Sequence, residues 1–137
     1  MDFVDTNVLI YAMCPGPGDM AKQELAANAL ERADLGLSAQ VLQEFYWQVT
    51  HPKRPEALSR QDAGHFVQAL TRFQVAPVTK ELVRAAIATC MRFQIAYWDA
   101  AIIEAAKELG CDSVLSEDLN DGQDYGGVRV ENPFRNL

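Results

Sequence analysis

Basic residues are scarce in this chain: 12 Lys and Arg stand against 19 Asp and Glu, a formal net charge of −7. A broad cationic face for gripping nucleic acid is thereby excluded, so a polyanionic substrate must be met by a few local bases or by metal ions. Cysteine is scarce too. Cys14, Cys90 and Cys111 are odd in number, far apart and in no metal-ligand spacing, which argues against a disulfide scaffold and for free, buried thiols in a reducing compartment. No apolar run approaches membrane-spanning length, and the first residues lack the basic start and apolar segment of a signal peptide, so a cytoplasmic protein is expected.

What is present is ordinary globular material, with 49% hydrophobic and 23% charged residues. A chain of 137 residues can bury a core without disulfide or metal staples, and one domain over 1–137 is expected, with one site. Charge is unevenly spread. The segment from Asp112 to Leu137 carries six acids and two bases, hence −4 of the total, and needs a counterion or open solvent.

The opening segment Met1 to Tyr11 organises the rest. A short apolar run ends at Asp5 and a second begins at Val8, which reads as a strand, a tight turn and a helix. Asp5 can be a helix N-cap, but it also stands at a strand's C-terminal end, where open α/β sheets bind ligands. Pro15, Gly16, Pro17 and Gly18 then break the helix, and Asp19 is expected to cap the next one, from Met20 to about Ala33. Leu35 to Ser38 suits a brief buried strand, with Ser38 capping a helix through Val41, Leu42, Phe45 and Val49. Glu44 falls at the border of that helix's apolar stripe.

Thr50 to Pro55 forms a basic loop, and Ser59-Arg60-Gln61-Asp62 resembles a capping box opening a helix through Phe66, Leu70 and Phe73. Val75 to Val78, with its proline, suits an edge strand. Thr79 opens a helix expected to turn Leu82, Val83, Ala86, Ile87 and Cys90 inward. Asp99 follows Tyr97 and Trp98 in the first turn of an Ala-rich helix. Ser113 to Ser116 is a core-type strand running into Glu117 and Asp118, and Val128 to Val130 can form a last strand.

Alternating strands and helices imply an α/β fold on a mostly parallel sheet, with right-handed crossovers that align the strand C-terminal ends on one edge. Asp5 and Asp118 face that edge, Asp99 reaches it from a helix start, and Glu44 from early in its helix. Four carboxylates in one pocket raise each other's pKa unless a hard cation compensates them, and Mg²⁺ or Mn²⁺ prefers such oxygen ligands while sharing them with substrate phosphates. This is the logic of a metal-dependent phosphodiesterase.

Val4 to Tyr11 (VDTNVLIY), Val41 to Phe45 (VLQEF), Trp98 to Ile103 (WDAAII) and Val114 to Leu119 (VLSEDL) together resemble, in order, the motifs of PIN-domain ribonucleases, especially VapC-type toxins of prokaryotic toxin–antitoxin pairs. The resemblance implies a PIN-like three-layer α/β/α sandwich. It implies that Asp5, Glu44, Asp99 and Asp118 are the catalytic acids holding Mg²⁺ or Mn²⁺, that Thr6 and Ser116 occupy the family's hydroxyl positions, and that Asn7 supports the first Asp. The implied activity is hydrolysis of RNA phosphodiester bonds by a metal-activated water, without a protein nucleophile. The implied partners are an RNA substrate, a cognate antitoxin whose tail enters the acidic pocket with an Arg or Lys, and a second copy of the chain in a homodimer. The family often places a further acid two residues past the fourth carboxylate; Asn120 stands there, and Asp121 is the substitute, with a solvated loop charge the better reading of it. Glu117 is expected to point away from the pocket. With Asp5 a metal ligand, Thr6 becomes the expected helix cap.

Lys53, Arg54, Lys80, Arg84 and Arg92 are candidates for steering an RNA backbone, most of them ordinary surface charges, and affinity for RNA should be modest and salt-dependent. Trp47 and Trp98 could stack on bases, but their apolar neighbours favour core packing. His51, at a helix end before proline, and His65, beside Phe66, suit capping, surface or packing roles better than catalysis. Two alternatives stand beside the nuclease. A haloacid-dehalogenase-like phosphohydrolase also begins with a strand ending in Asp, but it needs a second Asp where this chain has Asn7. A PIN-like module could bind RNA or protein without cleaving, although four costly converging acids argue against that. The Pro-interrupted glycine segment is no dinucleotide loop.

Overall fold

The computed structural model describes residues 1–137. Strand β1 (Asp2–Val4) leads into helices α1 (Thr6–Met13) and α2 (Met20–Leu30), and β2 (Leu35–Ser38) into α3 (Ala39–Val49) and α4 (Arg60–Leu70). Then come β3 (Gln74–Ala76), α5 (Lys80–Phe93), α6 (Tyr97–Glu108), β4 (Ser113–Leu115) and β5 (Arg129–Glu131). The five strands form one sheet in the order β3-β2-β1-β4-β5, with every pairing parallel. Steps from β1 to β2 to β3 run one way across the sheet, and the step from β3 to β4 runs back past β1. Because each crossover is right-handed, α1 to α4 cover one face and α5 with α6 the other. The result is the expected α/β/α sandwich, and the reversal of strand order beside β1 is the switch point at which such sheets open a crevice.

Burial on both faces explains the composition of the central strands. Phe3, Val4, Leu35, Leu37 and Val114 are all buried, as a covered parallel sheet requires. Gly36 in β2 permits close approach of the segment after α6: a Cβ there would lie 2.8 Å from Leu109 Cδ1 and 3.1 Å from Cys111 Sγ. On α3, Val41, Phe45 and Val49 form the buried stripe, spaced at one helical face. β3 is the edge strand that its following proline suggested.

Several local expectations are corrected. Helix α2 ends at Leu30 rather than at about Ala33, and just beyond it the Arg32 guanidinium binds Asp34 at 3.0 Å and Asp2 at 2.6 Å. Asp19 makes no side-chain cap bond to α2; its carboxylate turns back to accept from Gly16 N at 3.1 Å. Ile87 is 48% exposed, since Leu82, Ala86 and Thr89 take the buried face of α5. Ser38, Ser59 and Thr79 cap α3, α4 and α5 as expected, each accepting a backbone N–H of the first turn. All three cysteines are free, with Cys14 and Cys111 buried and Cys90 half-buried. No helix is long and apolar enough to cross a membrane.

Candidate active site

Asp5 is placed by the sheet itself. Its backbone N donates to Leu115 O at 3.0 Å, extending the β1–β4 pairing by one residue, so its side chain emerges at the switch point. The carboxylate is 4% exposed and fully engaged: Oδ1 accepts from Thr6 N at 2.7 Å, and Oδ2 from Ser116 Oγ at 2.8 Å. Asp5 is therefore the N-cap of α1, which corrects the assignment of that role to Thr6. Capping and pocket lining are one geometry here: Oδ1 accepts one bond and keeps a lone pair, while Oδ2 accepts from Ser116 and lies within reach of Asn7 Nδ2.

Thr6 turns its hydroxyl elsewhere. Its Oγ1 donates to Glu44 Oε2 at 2.8 Å, while Gln40 Nε2 donates to Glu44 Oε1 at 2.9 Å, so both Glu44 oxygens are oriented. Gln40 also donates to Trp98 O at 3.2 Å, pinning the start of α6 beside α3 and with it Asp99. Asp99 lies half-buried and makes no hydrogen bond within the protein. At the other side, Asn7 Nδ2 donates to Asp118 Oδ2 at 3.0 Å and lies 3.4 Å from Asp5 Oδ2. Ser116 Oγ accepts from Asp118 N at 3.1 Å, fixing the turn that carries Asp118. Asn7 thus works as a donor bridge between two carboxylates; its amide does not ionise near neutral pH and cannot serve as the acid/base that a dehalogenase-like pair of Asp residues needs.

The four acids line one cavity of about 440 Å³, together with Thr6 and Asn7. Burial pushes the Asp5 pKa up to about 7; bonds from Ser116 and Thr6 N oppose the rise, and the charges of Asp118 and Glu44 add to it. Asp99 is also raised, first by burial and then by Asp118 and Glu44. No base forms an ion pair with any of the four acids, although Arg54 stands on the same wall. The site's donors are all oxygens or amides, with no His or Cys on the wall, which suits a hard divalent ion and not a thiolate or imidazole metal.

Two neighbouring acids lie outside the cavity, Glu117 as expected and Asp121 as the loop charge that is the better reading of it. Asp121 is not in the cavity: its Oδ1 accepts from Asn132 N at 2.8 Å and lies 3.5 Å from Arg135, a structural loop charge. Glu117 points away, accepting from Tyr11 Oη at 2.5 Å and Lys22 Nζ at 2.9 Å. Of the basic candidates only Arg54 reaches the cavity wall, where its guanidinium donates to Cys14 O at 2.9 Å. His65 is exposed, and His51 Nδ1 accepts from Lys53 N at 3.1 Å.

Sequence reasoning missed Gln40, Tyr11 and Asp19, all on the cavity wall. Gln40 had a readable signal, since it stands four residues before Glu44 on the same helical face. Asp19 had none, because its carboxylate arrives through a loop. Trp47 and Trp98, expected in the core, are 66% and 64% exposed, and Trp98 lines the cavity.

Solved structures share this architecture at low sequence identity. A toxin–antitoxin complex from Klebsiella pneumoniae aligns with a TM-score of 0.72 at 18% identity, covering 98% of each chain. VapC20 of Mycobacterium tuberculosis, described as a sarcin–ricin loop cleaving toxin, aligns at 0.67 and 18% identity over 86% of this chain and 92% of its own. FitAcB from Neisseria gonorrhoeae aligns at 0.65 and 21% identity over 98% and 99%. These likenesses establish the fold. A comparison with curated protein sequences gave no match. The sequence pattern of the PIN domain matches residues 3–120, which includes the strand-end Asp5 and the turn bearing Asp118, and the chain belongs to the PIN domain family.

Proposed function

We propose that this protein is a metal-dependent endoribonuclease and the toxin of a toxin–antitoxin pair. The observation that carries the reading is the meeting of Asp5, Glu44, Asp99 and Asp118 in one oxygen-lined cavity at the sheet's switch point, with Asp5 buried and its pKa raised. Such a cluster is costly in the absence of a cation and useful in its presence.

Asp5 and Asp99, with Glu44 and Asp118 beside them, would hold Mg²⁺ or Mn²⁺. No three of these carboxylates stand close enough to ligate one ion together, which suits an ion that keeps several waters and shares one or two carboxylates with a phosphate. The bound ion supplies Lewis-acid activation of water and of the phosphate. The chain's own contribution is orientation: Thr6 and Gln40 set Glu44, Ser116 sets both Asp5 and the Asp118 turn, and Asn7 bridges Asp5 and Asp118. No side chain is placed as a nucleophile.

The solved relatives include toxin–antitoxin complexes and a toxin that cleaves the sarcin–ricin loop, and these support RNA as substrate and an antitoxin as partner. An antitoxin Arg or Lys entering the acid cavity would neutralise it as a cation does. A homodimer and a cytoplasmic location belong to the same reading. The test is cleavage of structured RNA in Mg²⁺ or Mn²⁺ against a chelator control, with Asp5→Asn and Asp99→Asn beside the native protein. Cleavage that needs the ion and is lost in both variants is expected; activity unchanged in the variants, or none in the native protein, sinks the reading.

A further inference from the structure

Both tryptophans of the chain stand at the mouth of the acid cavity. Trp47, on α3, and Trp98, at the start of α6, rim an open cavity of about 660 Å³ whose other walls are Gln40, Gln43, Glu44 and Gln48. Gln40, Glu44, Gln48 and Trp98 also line the acid cavity, so the two spaces are continuous. On the far side, Trp47 and Gln48 continue into a groove bearing His51, Lys53 and Arg54. In a chain of net −7, the two indoles thus stand between the acids and a local group of bases, of which Arg54 also lines the acid cavity.

Each indole is braced by one aromatic neighbour. Trp47 packs at 5.0 Å and 67° against His51, and Trp98 at 5.1 Å and 80° against Tyr97. Gln40 holds the backbone of Trp98 in place. The side-chain amides of Gln43 and Gln48 make no hydrogen bond within the protein, so their donors and acceptors remain open to a ligand.

The geometry points to Trp47 and Trp98 as a stacking site for unpaired nucleobases of the RNA, with Gln43 and Gln48 facing base edges and Lys53 and Arg54 facing the backbone. Single strands, loops and bulges present a free π-face for such rings, whereas a paired base in a helix is already stacked on its neighbours. A second copy of the chain fits this surface less well, because it would bury Glu44 and two glutamine amides along with the indoles. The inference rests on the nuclease reading for what the acid cavity does, but base binding is measurable apart from cleavage.

With no other tryptophans in the chain, intrinsic fluorescence reports the site directly. The measurement is stopped-flow quenching by an unpaired octaribonucleotide and by a blunt RNA duplex, in Mg²⁺ and in chelator, for the native protein and for Trp47→Ala, Trp98→Ala, Trp47→Phe and Trp98→Phe. Fluorescence anisotropy of labelled RNA gives the affinities of all five. Expected are quenching by the single strand, affinity for it weaker by about tenfold in each Ala variant, near-native affinity in each Phe variant, and little change for the duplex. Single-strand affinity unchanged in the Ala variants, equal losses in Phe and Ala, or no quenching in the native protein overturns the assignment. So does a change of sedimentation from dimer to monomer with single-strand preference intact, which would give the surface to a second copy. If RNA cleavage fails in the native protein while the Ala variants still lose single-strand affinity, the nuclease reading falls and this one stands.

Discussion

Thr6 Oγ1 donates to Glu44 Oε2 at 2.8 Å, so the first residue of α1 orients a carboxylate on α3. Gln40 takes the other Glu44 oxygen, and the acid is aimed before any ion arrives. Thr6→Val keeps the shape of this buried side chain and removes its hydroxyl. Loss of such an outer partner is expected to weaken Mn²⁺ binding by about 10- to 100-fold, with Thr6→Ser near native. Calorimetric titration with Mn²⁺ checks it, and an unchanged affinity in Thr6→Val would show that the hydroxyl does not set Glu44.

Asp5 makes the metal-free protein's stability depend on pH in a direction opposite to a salt-bridged Asp. Its native pKa of about 7 lies above the ordinary 3.8, so the native state holds a proton that the unfolded chain has lost across that window. Stability in chelator should therefore fall as pH rises from about 4 to about 7 and flatten above, at ~1.4 kcal/mol per unit of difference. Asp5→Asn removes the titrating group. Its melting temperature should exceed the native protein's at pH 8 in chelator, and the two pH profiles should run parallel below about pH 4. Adding Mn²⁺ at pH 8 should raise the native melting temperature and leave Asp5→Asn nearly unmoved. Parallel profiles across the whole range would refute the origin assigned to the shift.

The four acids were legible because each stands at a punctuation mark: Asp5 and Asp118 after apolar strands, Asp99 in a helix's first turn, Glu44 beside an apolar stripe. Alternation of strands and helices then put these marks on one sheet edge. The tryptophans were not legible from their apolar neighbours. Trp47 stands two residues from Phe45 and from Val49, about 200° around the helix from each, and the stripe Val41, Phe45 and Val49 had already claimed the core. The division of labour between Asp5 and Thr6 was equally hidden, since either residue can cap and only the position of Glu44, 38 residues along, draws the Thr6 hydroxyl away. Asp19 enters the cavity by a loop with no period to read.

Asp121 separates an acid near the site from an acid in it. Its contacts, Asn132 N and Arg135, secure the chain's last segment. Asp121→Ala should cost about 1 kcal/mol of stability through the lost backbone partner, while leaving Mn²⁺ affinity and RNA cleavage at native levels. A cleavage defect larger than the stability loss explains, measured well below the melting temperature, would add Asp121 to the proposed catalytic acids.

Glu117 joins distant parts of the chain just before Asp118. Tyr11 Oη donates to one of its oxygens at 2.5 Å and Lys22 Nζ to the other at 2.9 Å, while Lys22 also reaches Tyr11 Oη at 3.2 Å. The Tyr11 ring meets Phe134 edge-on at 5.1 Å, so α1, α2, the turn after β4 and the C-terminal segment close on one another here. Both partners of the ion pair are partly exposed, at 32% for Lys22 and 23% for Glu117, and water screens much of their attraction. A double-mutant cycle of Lys22→Met and Glu117→Gln should therefore give a coupling of only ~0.5–1 kcal/mol. The mechanical effect should be larger than the energetic one. With Glu117 released, backbone amides from Glu117 to Leu119 should exchange hydrogen faster while those of β1 and β4 stay protected, because the turn opens locally and the sheet does not. Equal protection of that turn in the native protein and Glu117→Gln would show that Ser116 and Asn7 hold Asp118 without help from the clasp.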